Sequence, residues 1–271
     1  MKRHWLLLLF PVALIGVLLA VKYFAGKSSK NVPPAEPVVV VNQIEVAPNA
    51  PKYEIPKPGP DGQKRMAPEI VEKISTTLET YIKEHPNAAD INDAYYNLGN
   101  LYYEAGDFEK AIGPLKKAVA TRPYDSDAHY ILGNAYEKLK RYPESAAEFE
   151  LMTRIEPKND NVYYNLANAY LNQKKFREAS EQYNKAIALN PKNGAAHYGN
   201  GLANFNLRKS KEATEAFQQA VNIDPNNADA HYFLAIVKLE SGDRVGASEQ
   251  QAYLKKIKSQ YADALDKRIN P

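Results

Sequence analysis

Three histidines raise the first chemical question. His129, His197 and His231 fall 68 and then 34 residues apart, and imidazole is the side chain most often used to bind a metal or move a proton near neutral pH. Zinc needs ligand nitrogens about 2 Å from one ion. Packed helix axes lie about 8–10 Å apart, so histidines one or two helical units apart do not converge on a metal. A packing role on helices is the expectation. The acidic pairs Glu148 with Glu150 and Asp125 with Asp127 fit solvated helix ends better than a catalytic dyad. Gly199-Asn200-Gly201 follows no strand and lies inside a helical segment, so it is not a phosphate loop. The chain holds no Walker loop, no His-Glu-x-x-His and no nucleophile elbow. It also has no cysteine, which excludes disulfides, thiolate metal sites and cysteine nucleophiles together. These residues predict a protein that is not an enzyme, with no cofactor, no metal and no small-molecule substrate.

A different set of polar residues recurs with strict regularity. Tyr96, Tyr130, Tyr164, Tyr198 and Tyr232 are spaced by 34. Four residues after them come Asn100, Asn134 and Asn168, then Leu202 and Ile236. Tyrosine offers a flat apolar face with a polar tip, and an asparagine amide offers a donor and an acceptor side by side. This is chemistry for holding a polypeptide.

The elements that carry these residues repeat in the same period. Units start at Asn92, Ser126, Asp160, Gly194 and Ala228, with Gly99, Gly133, Ala167, Gly201 and Ala235 at the eighth place. Pro123, Pro157, Pro191 and Pro225 are also 34 apart. In the first unit a helix begins at Tyr95-Tyr96-Asn97-Leu98-Gly99-Asn100-Leu101-Tyr102, Gly106-Asp107 makes a turn, and Phe108 to Ala120 forms a second helix that Pro123 stops. Leu98 with Tyr102, Leu132 with Tyr136 and Leu166 with Tyr170 lie four apart on one helical face. Small residues such as Ala111, Ala118, Ala179 and Ala186 alternate with the large Leu115, Phe149, Tyr183 and Phe217, a pattern that interlocks two helices. One such pair cannot cover its own apolar face, so stacking is required.

These residues resemble the tetratricopeptide repeat (TPR) family: Tyr-Asn-Leu-Gly-Asn-x-Tyr, then Ala, an aromatic, Ala and Pro at the family's spacing, from Asn92 to Tyr261. The resemblance implies an all-α right-handed TPR superhelical solenoid of five helix–turn–helix repeats, near residues 92–125, 126–159, 160–193, 194–227 and 228–261. A leading helix at 67–86 starts the stack within a domain spanning 67–271. Lys238, Gln251 and Ser259 replace the aromatic and proline positions of the last unit, the erosion expected of a terminal face that meets water.

In that fold the second, fifth, ninth and twelfth residues of each unit face a concave groove. The resemblance thereby assigns to the groove Tyr96, Asn100, Tyr130, Asn134, Tyr164, Asn168, Tyr198, Leu202, Phe205, Tyr232 and Ile236. Such a ladder suits an extended, mostly uncharged peptide, a proline-rich one included. Generic family packing is the alternative reading of the same residues. The basic clamp with which some TPR modules grip a carboxylate pair is missing: its positions hold Tyr130, Asn134, Asn165, Ala195 and Gly199. The fourth unit departs most. Asn200, Asn204 and Ser210 stand where other units have leucine or aromatic residues, and unpaired buried polar groups cost about 1–3 kcal/mol each. Two readings fit, a pliable layer beside a hydrophobic docking spot at Leu202 and Phe205, or a drifted repeat held by its neighbours.

The net charge of +3 is unevenly placed. Lys2, Arg3, Lys22, Lys27 and Lys30 lie among the first 30 residues without an acid, leaving 30 basic against 32 acidic side chains in the rest. That balance offers nothing for displacing counterions from nucleic acid. Trp5 to Val21 is an uncharged apolar run of 17 residues, reaching 21 residues if continued to Ala25. A helix over 5–25 would be about 30 Å long, the thickness of a bilayer core. This predicts a membrane anchor over residues 1–26, single-pass, with the repeats on the exported side. A cleaved signal peptide, leaving a soluble periplasmic chaperone or accessory subunit, is the alternative. Residues 27–66 hold eight prolines and read as a linker, broken by the strand-prone Val38-Val39-Val40-Val41. The expected protein is a membrane-tethered scaffold that holds protein partners.

Overall fold

The computed structural model describes residues 66–269. The expected anchor, and the linker as far as residue 65, lie outside the described residues. Among those described, no helix is long and apolar enough to cross a membrane. Twelve helices are described: α1 (Pro68–Glu84), α2 (Ile91–Glu104), α3 (Phe108–Thr121), α4 (Ser126–Lys138), α5 (Tyr142–Ile155), α6 (Asp160–Asn172), α7 (Phe176–Leu189), α8 (Gly194–Asn206), α9 (Ser210–Ile223), α10 (Ala228–Glu240), α11 (Arg244–Lys256) and α12 (Tyr261–Ile269). The leading helix is α1, and the five expected units are the pairs α2/α3, α4/α5, α6/α7, α8/α9 and α10/α11.

The unit boundaries follow from local chemistry. The last residue of each unit caps the next A helix: Asp125 accepts from the Ala128 N–H, Asn159 from Asn161, Asn193 from Ala196 and Asn227 from Ala230. Each cap satisfies a donor that the first turn leaves orphaned. The turn between A and B helices requires one residue at positive φ. Glycine supplies it at Gly106 (81°) and Gly242 (86°), whereas Lys140, Lys174 and Arg208 adopt it at 59–61° in the middle units. A side chain there carries a steric cost that glycine avoids.

Every helix packs on its sequence neighbours, so the core is a chain of small clusters. Leu115, Phe149, Tyr183 and Phe217 are fully buried knobs from the B helices, surrounded by alanines such as Ala111, Ala118, Ala179, Ala186, Ala213 and Ala220, none of them exposed. The eighth-place glycine makes room for the knob: a Cβ on Gly201 would stand 2.5 Å from the Phe217 ring. The A helices of successive units also meet, α2 with α4 and α6 with α8. Layers approach most closely on the inside of a curve, so the A helices line the inner face of the superhelix.

One expectation is corrected, and of the two readings of the fourth unit the repeat held by its neighbours gains support. The outer face of the last unit does not meet water, because α12 covers it. Ala262, Leu265 and Ile269 cluster with Ala235, Ile236, Ala247 and Leu254, and the buried Gln251 side chain donates to Asp266 Oδ1 at 2.7 Å. Gln251 replaces an aromatic knob because it docks a polar helix. In the fourth unit Asn200 and Asn204 are buried as expected, but they are paired. Ser180 Oγ donates to Asn200 Oδ1 (2.8 Å), Asn200 Nδ2 donates to Asn184 Oδ1 (2.9 Å), and Asn204 Nδ2 donates to the Asn200 carbonyl (3.0 Å). The polar residues join α7 to α8 rather than leaving a penalty unmet. Ser210, the third departure, opens α9 on the exposed surface.

Candidate peptide-binding groove

Of the eleven residues assigned to the groove, ten are half-buried, on α2, α4, α6, α8 and α10. Their half-burial has a cause. Three of the five fifth-place tyrosines stand against the aromatic knob of their own unit: Tyr130 on Phe149 (centroids 6.0 Å), Tyr164 on Tyr183 (6.1 Å) and Tyr198 on Phe217 (5.9 Å). One edge of each ring therefore belongs to the core, and the other lines the inner face. Burial raises the pKa of Tyr96 and Tyr198, aided at Tyr96 by Asp127, Asp125 and Glu104 and at Tyr198 by Asp229. These phenols stay protonated and remain donors.

The asparagines differ from one another. Asn100 and Asn134 are half-buried and make no side-chain hydrogen bond to the described residues. Each therefore keeps an amide donor and a carbonyl acceptor open to a guest. Asn168 is anchored: Tyr183, reaching across from α7, donates its hydroxyl to Asn168 Oδ1 at 2.5 Å. Burial holds the Tyr183 pKa well above its ordinary value, so this hydroxyl always donates. With its carbonyl engaged, Asn168 has chiefly its NH₂ left to offer a guest. Gly199 makes the reach possible, since a Cβ there would lie 2.3 Å from Tyr183 Cζ. Sequence reasoning placed Tyr183 as a core knob only. The signal lay in a hydroxylated knob in the third unit followed by a glycine at the sixth place of the fourth, a pairing found at no other junction of the five units.

The C-terminal end of the row is closed. Ile236 is 5% exposed and lies under α12, so it does not reach the groove surface as expected. Tyr232 stacks on Tyr261 of α12 (4.8 Å). Leu202 and Phe205 keep partial exposure, and Phe205 sits 6.0 Å from Phe233.

The histidines serve the turns between units. The ring Nε2 of His129, His197 and His231 bonds the carbonyl of Pro123, Pro191 and Pro225 at 3.0–3.1 Å. Tyr163 does the same for Pro157 with its hydroxyl at 3.1 Å. His129 has a second partner, Glu148 Oε2 at 2.6 Å. Glu148 is thus not a solvated carboxylate, as its sequence position suggested, but the mate of a buried imidazole. Burial works against the charged ring, yet the bonds to Glu148 and to the Pro123 carbonyl outweigh it and hold the His129 pKa above 6.5. Among the described residues no cluster of histidines and acids is placed to hold a metal ion.

Stacked two-helix layers with an inner row of tyrosines and asparagines define a helical-repeat solenoid. The tetratricopeptide repeat pattern matches residues 76–126, 96–160 and 164–228, together more than half of the 271 residues, and the chain belongs to that family. Several solved structures share the fold. YrrB, described as a TPR protein with an unusual peptide-binding site, is 24% identical over 70% of this chain and 96% of its own, with a TM-score of 0.59. MamA from Desulfovibrio magneticus RS-1 is 23% identical over 62% of this chain and 94% of its own, at 0.59. PilF of Pseudomonas aeruginosa is 23% identical over 66% and 82%, at 0.56. No curated protein matches the chain in sequence.

Proposed function

We propose that the chain is a membrane-tethered scaffold that binds extended segments of partner proteins through the inner face of its TPR domain, during assembly of an envelope complex. One observation carries the binding reading: Asn100 and Asn134, half-buried on adjacent layers, have no internal hydrogen-bond partner. With no internal partner, these half-exposed amides keep a donor and an acceptor that a peptide backbone can take up in place of water. The peptide-binding site ascribed to YrrB, on the same fold, points the same way. The tether rests on the apolar run over 5–25 and the proline-rich residues 27–66.

The test is photo-crosslinking from positions 130 and 164 in intact cells. A small set of protein partners should be captured, and capture should disappear when Asn100, Asn134 and Asn168 are replaced together by alanine. Undiminished capture by the triple variant would remove the groove as the binding face. Fractionation with intact-mass measurement tests the tether: full-length chain in the membrane pellet supports it. A soluble chain lacking its first 25 or so residues would favour the exported accessory subunit instead.

A further inference from the structure

The two edges of the helix stack differ in charge. Successive helices run in opposite directions, so every turn from an A helix to its B helix lies on one edge and every turn between units lies on the other. The three middle A–B turns, residues 137–144, 171–178 and 205–212, hold nine lysines and arginines against four acids. The four inter-unit turns, residues 122–127, 156–161, 190–195 and 224–229, hold three against six. Eight of the nine basic residues are exposed. Arg141 alone is in an ion pair with a described residue, to Glu144 at 2.9 Å and Glu109 at 3.9 Å. Layers about 10 Å apart put each cluster about one screening length from the next, so their fields add. The backbone sets the same turns apart. Each A–B turn needs one residue at positive φ, and in the first and fifth turns, where acids outnumber bases, it is Gly106 or Gly242. In the three basic turns it is Lys140 (59°), Lys174 (61°) and Arg208 (61°). A cation thus stands, three times in register, at the one place in the turn where sterics favour glycine. The described domain also begins on this edge. Tyr81, near the end of α1, donates to Asp90 ahead of α2 (2.6 Å), whereas the earlier Glu79 accepts from Tyr102 near the end of α2 (2.8 Å). Helix α1 is therefore antiparallel to α2, and its first residue, Pro68, lies toward the A–B turns.

We infer that the A–B edge of the middle units docks on the anionic headgroups of the bilayer that holds the chain, with Lys140, Lys174 and Arg208 at the centre of the contact. This rests on the tether reading proposed above. Lysines and arginines near an anionic leaflet are each attracted weakly and only within a screening length of it. A tether turns that weak attraction into an intramolecular event at high effective concentration, so a few exposed cations suffice. An acidic protein offers carboxylates to the same residues, but nothing delivers it to this edge. The sequence leads the other way: the residues before Pro68 run back to the apolar stretch over 5–25. The acid-rich inter-unit edge is repelled by the same surface. Docking by an edge also leaves the inner face, with Asn100 and Asn134, free for a guest.

The test reconstitutes the full chain in vesicles of phosphatidylcholine alone or with about 30% phosphatidylglycerol. The chain has no cysteine, so one dye can be attached through Ser210→Cys on the basic edge or Asn226→Cys on the opposite one. Energy transfer is read to an acceptor on the lipid headgroups. Transfer from position 210 should rise about twofold or more in the anionic vesicles and fall back in about 0.5 M salt. Transfer from position 226 should not rise. Lys140→Gly/Lys174→Gly/Arg208→Gly should abolish the rise, and its fold is safe because two other units carry glycine at that place. Lys175→Glu/Lys209→Glu, which leaves the positive-φ residues in place, should abolish it as well. Equal transfer in the two vesicle types would overturn the inference, as would a rise that survives both variants or one that is equal at positions 210 and 226. Labelled polyglutamate is added to the chain in neutral vesicles. Its retention through Lys140, Lys174 and Arg208, without any lipid dependence of transfer, would overturn the inference in favour of an acidic protein partner. Flotation with neutral vesicles reads the tether separately. A chain that stays behind there refutes the tether alone, and the edge is then read by flotation with anionic vesicles, which the triple glycine variant should lose.

Discussion

The junction of α7 with α8 and the junction of α9 with α10 occupy equivalent places in consecutive repeats, yet different forces hold them. At α9–α10 the contact is apolar: Phe217, Ala220 and Val221 pack on Ala230, Leu234 and Val237, and Phe233 stacks on Phe217 at 5.7 Å. At α7–α8 Ala179 and Ala186 meet Ala196 and Ala203, but the joint also holds a polar chain, the buried Ser180, Asn200 and Asn204 with the exposed Asn184 at its end, beside a buried tyrosine whose hydroxyl donates to the groove-lining Asn168. Apolar packing is non-directional and tolerates small rotations. A hydrogen-bond chain is satisfied in one register only, and loses more when one member is removed than it gains when made. The same backbone repeat therefore carries one joint that stabilises by area and one that fixes alignment next to the groove.

The comparison can be broken at its strongest point first. Phe217→Ala should cost about 3–5 kcal/mol in denaturant titration, because a fully buried ring leaves a cavity. A loss below about 1 kcal/mol would show that the apolar joint does not hold its layer. Gly199→Ala comes next, at about 1–3 kcal/mol, since its Cβ would meet the Tyr183 ring. Tyr183→Leu should relieve part of that cost in a double-mutant cycle, the leucine matching Leu115 of the first unit. Additive losses would separate the two residues.

Ser180→Ala should cost about 1 kcal/mol by removing one of the two donors to Asn200 Oδ1. The combination Ser180→Ala, Asn200→Leu, Asn204→Tyr should recover that stability, because it replaces the polar joint with the repeat's own apolar pattern. Amide exchange across α7 and α8 would then report whether stability returned without register. A joint that stays as ordered as before would weaken the alignment argument.

A smaller effect concerns pH. His129 with Glu148 and His231 with Gln250 are the same contact in the second and fifth units, at 2.6 and 2.7 Å. The His129 pKa is raised in the folded protein, so its contribution is fully present below about pH 6.5 and is lost as pH rises through the folded value. Melting curves should show Glu148→Gln destabilising at pH 6 and near neutral at pH 9. A pH-independent effect would mean that the ring is not charged. Smallest of all, Lys174→Gly should stabilise by up to about 1 kcal/mol by removing a side chain from a φ of 61°, and an unchanged midpoint would show the turn to be unstrained.

The period and the caps were legible because they are local. Pro123 and its successors, Asp125 and Asn159 at helix starts, and Gly106 in its turn act on their own backbone within a few residues. The tyrosine and asparagine row was legible for the same reason, since a 34-residue period puts like residues in like places. Its openness was not. Whether Asn168 is free depends on a hydroxyl from another helix, whether Ile236 is exposed depends on α12, and α12 itself follows a place where the repeat pattern had already worn away.

By itself, the sequence determined that the chain stacks in two-helix layers, because periodic apolar burial admits no other arrangement of such units. Tertiary structure alone decided which polar groups are satisfied. Hydrogen-bond partners such as Asn200 and Ser180, or Tyr183 and Asn168, lie 20 and 15 residues apart and meet only once neighbouring helices have packed. A one-dimensional pattern records what each residue is. Only packing in three dimensions records which group it faces.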